Sequence, residues 1–118
     1  MRDDLLFHIT TRKEWKTHQN QGNYEPESLD SEGFIHCSSG GQLKETANRL
    51  FTGTNKILLL VIDVSTIRES IKYEEDEETG QKFPHIYGPL HTNAIIDKID
   101  IKAEEDGSFD ISFTSKNG

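Results

Sequence analysis

The run Leu5-Leu6-Phe7-His8-Ile9-Thr10 is apolar except at His8 and Thr10, which predicts a strand apolar enough to lie inside a sheet. Thr11-Arg12-Lys13-Glu14 follows with the spacing of a capping box, so a helix is expected from about Arg12 to Asn20, stopping at Gly22 and anchored by Trp15. Asn23 to Gly33 carries Pro26, Ser28, Asp30, Ser31 and Gly33 among few apolar residues, the composition of a surface loop. Phe34-Ile35-His36-Cys37-Ser38 predicts a second strand, with Phe34, His36 and Ser38 on one face and Ile35 and Cys37 on the other.

A second helix is expected from about Gln42 to Phe51, with Leu43, Ala47, Leu50 and Phe51 on one stripe and Gly53 as the stop. Lys56 to Val64 is almost continuously apolar, the pattern of a strand covered on both faces and central in its sheet. Ser65 to Ser70 reads as a short helical turn and Ile71 to Glu75 as a strand. That strand runs into Glu74-Glu75-Asp76-Glu77-Glu78-Thr79-Gly80, a self-repelling stretch expected at a solvated hairpin tip. Pro84 and Pro89 restrict Phe83 to Leu90 to an extended or turning path. Ala94 to Ala103 alternates as a strand with one polar edge, and Asp106-Gly107 marks a turn into a last strand, Phe109 to Phe113. Thr114 to Gly118 is expected to be disordered.

These elements describe an α+β chain. Its 118 residues match the common size of one domain, read here as spanning the whole chain with a core from about residue 5 to 113. Hydrophobic residues make up 32%, so the core is expected to be small under a heavily solvated exterior. Twenty-one acidic against 13 basic residues give a net charge of −8, which repels phosphate backbones and anionic headgroups and argues against broad nucleic-acid or membrane binding. The longest apolar run, Ile57 to Ile62, is too short to span a bilayer, and Met1-Arg2-Asp3-Asp4 has no apolar stretch of the signal-peptide kind. A cytoplasmic monomer is the expectation, in keeping with the lone Cys37, which has no intramolecular disulfide partner.

Candidate chemistry centres on histidine. His18 falls on the first helix and His91 in a loop, whereas His8 and His36 fall inside strands, where a buried imidazole needs a hydrogen-bond partner or a ligand. Thr10 and Ser38 lie two positions along on the same faces, so a shared polar cleft is expected. Neutral imidazole, with one donor and one acceptor, suits a ribose hydroxyl or a carboxamide. His85-Ile86-Tyr87-Gly88 adds a third imidazole and an aromatic ring, or else forms a rigid turn packing Phe83 and Tyr87 on the core. Cys37 is read as a small core residue, because strand neighbours point to opposite faces and His36 cannot take its proton. His8, His36 and His85 also suffice in type for a zinc site, but no pair has a recognised close spacing, and no metal ligands are assigned.

Four segments carry a resemblance. Phe7-His8-Ile9-Thr10, the stretch from Ser28 through Gly33-Phe34-Ile35-His36-Cys37-Ser38, Thr46-Ala47-Asn48-Arg49, and Phe83-Pro84-His85-Ile86-Tyr87-Gly88-Pro89-Leu90 are similar to the small bacterial family called domain of unknown function 952, over about Leu5 to Ile99. The resemblance implies the fold of ADP-ribosyltransferases, a split antiparallel β core with two main helices here, in which NAD lies between two half-sheets. It further implies a ribose or nicotinamide contact for His8 with Thr10 beside it, and a nicotinamide contact for His36. Glu74 is the candidate for a carboxylate that stabilises positive charge at the anomeric carbon. Arg49 is the candidate to meet a phosphate, or is an exposed helix charge. His8, Thr10, Ser38, Arg49, His85 and Tyr87 are thus the expected ligand contacts, and His8, His36 and Glu74 the expected catalytic set. NAD would be a substrate and no cofactor would be required. The alternatives are a module that binds a nucleotide or other small ligand without turnover, and a metal-dependent hydrolase.

Overall fold

The apolar run around Ile57 to Ile62 becomes the middle strand of a sheet, as its lack of polar positions requires. In the computed structural model, which describes residues 5–65 and 67–111, the chain forms strand β1 (Leu5–Thr10), helix α1 (Arg12–His18), short strands β2 (Gln19–Asn20) and β3 (Asn23–Tyr24), helix α2 (Glu27–Ser31) and strand β4 (Ile35–His36). Helix α3 (Leu43–Leu50) and strands β5 (Lys56–Asp63), β6 (Ile71–Glu75), β7 (Lys82–Ile86), β8 (Leu90–His91) and β9 (Ile95–Lys102) follow. The strands make three small antiparallel sheets, ordered β1-β5-β9, β2-β3-β8 and β4-β7-β6. None of the described helices is long and apolar enough to cross a membrane.

Strand β5 divides the core. Leu58, Leu60 and Ile62 pack with Leu6, Trp15, Tyr24, Ile35 and Cys37 on one side. Ile57, Leu59 and Val61 pack with Phe7, Ile9, Leu43, Ala47 and Phe109 on the other. Alternation along β1 therefore turns His8 and Thr10 toward the layer that holds Leu6 and Tyr24. This is how two polar side chains come to be buried beside an apolar cluster.

Several expected boundaries move. The first helix ends at His18 rather than Asn20, because Gln19 takes extended backbone and pairs with Tyr24. Gln21 and Gly22 both have positive φ, 52° and 84°, the pattern of a two-residue hairpin turn. The expected loop from Asn23 to Gly33 thus contains β3 and the five-residue α2. The second helix starts at Leu43, after a single 3₁₀ turn at Gly40–Gln42 closed by a capping box between Ser39 and Gln42. Leu50, placed on its buried stripe by the pattern, is 57% exposed, since it faces an open cleft.

The second expected strand splits in two. Ile35 and His36 pair with β7, while Ser38 forms an isolated bridge to Phe7 of β1. Ile35 and Cys37 are buried as expected, but the other face divides: His36 is exposed rather than interior, and Ser38 is buried where it bridges β1. Pro84 sits inside β7, the middle strand of its sheet. Its carbonyl accepts from the Cys37 amide, and the N–H it lacks would face the Cys37 carbonyl, so that pair has one bond instead of two and β4 ends there. Phe109 and Ile111 are buried but belong to no strand, which corrects the expected last strand over its first three residues. Ser112, Phe113 and the expected disordered tail, Thr114 to Gly118, lie outside the described residues.

Candidate functional site

His8 is 8% exposed and bonded at both ring nitrogens. Nδ1 lies 2.6 Å from the His36 carbonyl, which can only accept, so Nδ1 carries the ring proton. Nε2 is then an acceptor, and the Tyr24 hydroxyl lies 3.0 Å from it. Thr10 Oγ1 is 3.3 Å from the same hydroxyl and completes the chain. Burial pushes the His8 ring down to about 4, against the opposing pull of the His36 carbonyl. Burial likewise pushes the Tyr24 hydroxyl up to about 12.

His36 and His85 stand directly opposite each other in the β4–β7 ladder. Their ring centroids are 5.1 Å apart and their planes cross at 76°. Phe34 stacks on His85 at 4.2 Å and 12°, and meets the edge of His36 at 4.9 Å. On the other side of the ladder Lys72 is opposite His85 and Glu74 is opposite Phe83, so the Glu74 carboxylate reaches diagonally across the sheet. Its Oε1 accepts from His85 Nδ1 at 2.7 Å and from the Tyr87 hydroxyl at 2.7 Å. The Tyr87 and His85 bonds hold the Glu74 carboxyl below its ordinary value, and Glu74 in turn raises the Tyr87 hydroxyl. At the surface, Glu32 Oε1 lies 3.1 Å from His36 Nε2.

The three imidazoles line one cleft of about 970 Å³ between the β1-β5-β9 and β4-β7-β6 sheets, together with Thr10, Ser38 and Arg49. Glu74 and Tyr87 do not line it and sit behind His85. Arg49 is held by the acidic hairpin, with Nη1 3.3 Å from Glu78 and Nη2 3.9 Å from Asp76. Ser38 is buried with its Oγ 3.5 Å from Thr46. Cys37 is buried as well, and desolvation raises its thiol. Among the described residues no three His, Cys, Asp or Glu side chains are grouped to hold a metal ion.

Tyr24, Phe34 and Glu32 complete this site and were not among the sequence candidates. Phe34 had a signal, its place on the His36 face of the strand. Tyr24 had none, because its partner His8 lies 16 residues away across a hairpin that the pattern did not show.

Fold and site together define an α+β protein with a histidine-lined cleft between small antiparallel sheets. The chain belongs to the family described as "Protein of unknown function (DUF952)", whose model matches residues 9–98. The crystal structure of protein CC0527 from Caulobacter crescentus is similar over 90% of this chain and 93% of that one, with 33% identity and a TM-score of 0.79. The solution structure of the same protein gives 0.75 over 89% and 90% at the same 33% identity. None of the curated proteins compared with the chain matches it.

Proposed function

We propose that the cleft binds a nucleotide, NAD being the candidate that the ADP-ribosyltransferase-like reading of the fold implies, and that the protein transfers ADP-ribose from it. The observation that carries this reading is the meeting of Phe34 and His36 with His85 of the neighbouring strand at one concavity large enough for a small molecule. In such a transfer the bond from the anomeric carbon to nicotinamide breaks and its electron pair leaves with nicotinamide. The acceptor's lone pair forms the new bond and its proton passes to water. The carboxylates around the cleft, Glu27, Glu32 and the run from Glu75 to Glu78, favour the positive charge that builds at the anomeric carbon.

Binding without turnover is favoured by a different observation. The one carboxylate assigned a catalytic role, Glu74, is turned away from the cleft and engaged with His85 and Tyr87. Titration with NAD followed by backbone amide shifts is expected to perturb residues from Phe34 to Ser38 and from Phe83 to Tyr87. A flat response at millimolar NAD would overturn nucleotide binding. Nicotinamide release on prolonged incubation distinguishes the transferase from the binding module.

A further inference from the structure

The tautomers of the two cleft histidines are fixed by carboxylates. An ionised carboxylate only accepts hydrogen bonds, so the Glu74 contact at 2.7 Å requires the proton of His85 on Nδ1. In the neutral ring Nε2 is therefore a bare acceptor, and it has no hydrogen-bond partner among the described residues. The same logic at His36 places its proton on Nε2, toward Glu32 at 3.1 Å, and leaves Nδ1 as the acceptor. His8 contributes neither, because both of its nitrogens are bonded within the protein.

We infer that the paired acceptors of His36 and His85 recognise two neighbouring hydroxyl donors on the ligand, a vicinal diol such as the cis-diol of a ribose. Two acceptors on rings whose centroids are 5.1 Å apart suit two neighbouring O–H groups, and neither nitrogen is left to donate to a phosphate, a carboxylate or a carboxamide oxygen. Surrounding charge works in the same direction. Glu32 and Glu74 lie against the two rings, and Arg49, the only arginine among the described residues lining the cleft, is taken up by Asp76 and Glu78. Phe34, stacked on His85 and edge-on to His36, supplies an apolar surface beside the polar pair, as sugar rings with one apolar face require.

Glu74 becomes, on this account, a positioning residue that acts through His85, and Tyr87 steadies the same carboxylate oxygen. Packing around the ring supports that role. His85 has a side chain only 13% exposed, with Phe34 on one face and Glu74 at its Nδ1 edge. Phe34 resists rotation of the ring out of its plane, and a 180° flip within that plane would break the Glu74 bond. The assignment rests on the proposed nucleotide binding and names the part of the nucleotide that the histidines grip.

Two measurements test it. Long-range proton–nitrogen spectra of histidine-labelled protein, with His85 and His36 assigned by His85→Gln and His36→Gln, are expected to show the proton of neutral His85 on Nδ1 and that of neutral His36 on Nε2. A Nε2-protonated His85 in the free protein overturns the inference whatever binds. Adenosine and 2′,3′-dideoxyadenosine are then compared by amide-shift titration, with adenosine expected to bind about tenfold tighter or more. Glu74→Ala is expected to shift the His85 proton toward Nε2 and to abolish that preference, while Tyr87→Phe, which keeps the His85 contact, retains it. Equal binding of the two nucleosides overturns the diol assignment and leaves NAD binding standing if NAD titrates. No response to NAD or to either nucleoside overturns both.

Discussion

The ring of His8 donates to the main-chain carbonyl of His36 across 2.6 Å, joining the first strand to the segment that carries the exposed cleft histidine. That bond lies next to the Phe7–Ser38 bridge, where the Ser38 amide donates to Phe7 and the Phe7 amide to Ser38 at 2.7 and 2.9 Å. The side chain thus extends a main-chain connection between the two sheets. His8 ties the two walls of the cleft together, while His36 and His85 line it.

A pH dependence of stability follows from His8. Its folded value of about 4 lies below the ordinary 6.5, so between these the unfolded chain takes up a proton that the folded chain refuses. The stability of the neutral buried ring is full above about pH 6.5 and declines toward pH 4, by roughly 3 kcal/mol over the interval. Urea unfolding of wild type and His8→Gln at several pH values checks this. Parallel curves for the two proteins would show that His8 is not the group responsible.

Removing the Tyr24 hydroxyl tests the other end of the same chain. Tyr24→Phe keeps the ring packed against Trp15, whose centroid is 5.2 Å away, but leaves His8 Nε2 a buried acceptor without a donor. The expected loss is about 1–3 kcal/mol in chemical denaturation. An unchanged midpoint would mean that water reaches Nε2.

Strand β5 is covered on both faces, so truncation should be costly in either direction. Leu59 and Leu60 are both fully buried, at 0% exposure, and face different core clusters. Leu59→Ala and Leu60→Ala are each expected to lose about 2–5 kcal/mol, read from denaturant midpoints. A near-neutral result for one of them would show that its side of the sheet is open to solvent.

Cys37 lines the cleft yet should be inert. It is 3% exposed, and burial raises its thiol far from the range in which a thiolate forms near neutral pH. Iodoacetamide is expected to leave native protein unmodified over a time in which urea-unfolded protein is fully alkylated, as followed by intact mass. Rapid native labelling would contradict a buried thiol.

Local pattern sufficed where a segment's environment is uniform along its length. The apolar stretch of β5 announced a strand covered on both sides, and the capping box at Thr11, whose side chain accepts from the Glu14 amide at 3.2 Å, announced where α1 begins. Alternation through Phe34–Ser38 separated Cys37 from the face of His36 and placed Cys37 in the core, but it did not show that His36 would be exposed. The sequence also marked the three histidines, because an imidazole within an apolar strand is conspicuous.

What each histidine does was decided by the tertiary structure, since a ring nitrogen's role depends on what stands 3 Å from it. His8 became a buried structural link because Tyr24 and the His36 carbonyl meet its two nitrogens. Glu74 lies outside the cleft lining because the β6–β7 register sets it diagonally to His85, where it also meets Tyr87. Arg49 was drawn to Asp76 and Glu78 when the acidic hairpin folded against α3. Periodicity reports the face on which a side chain lies, whereas hydrogen bonds and ion pairs depend on strand register and on contacts between residues distant in the chain.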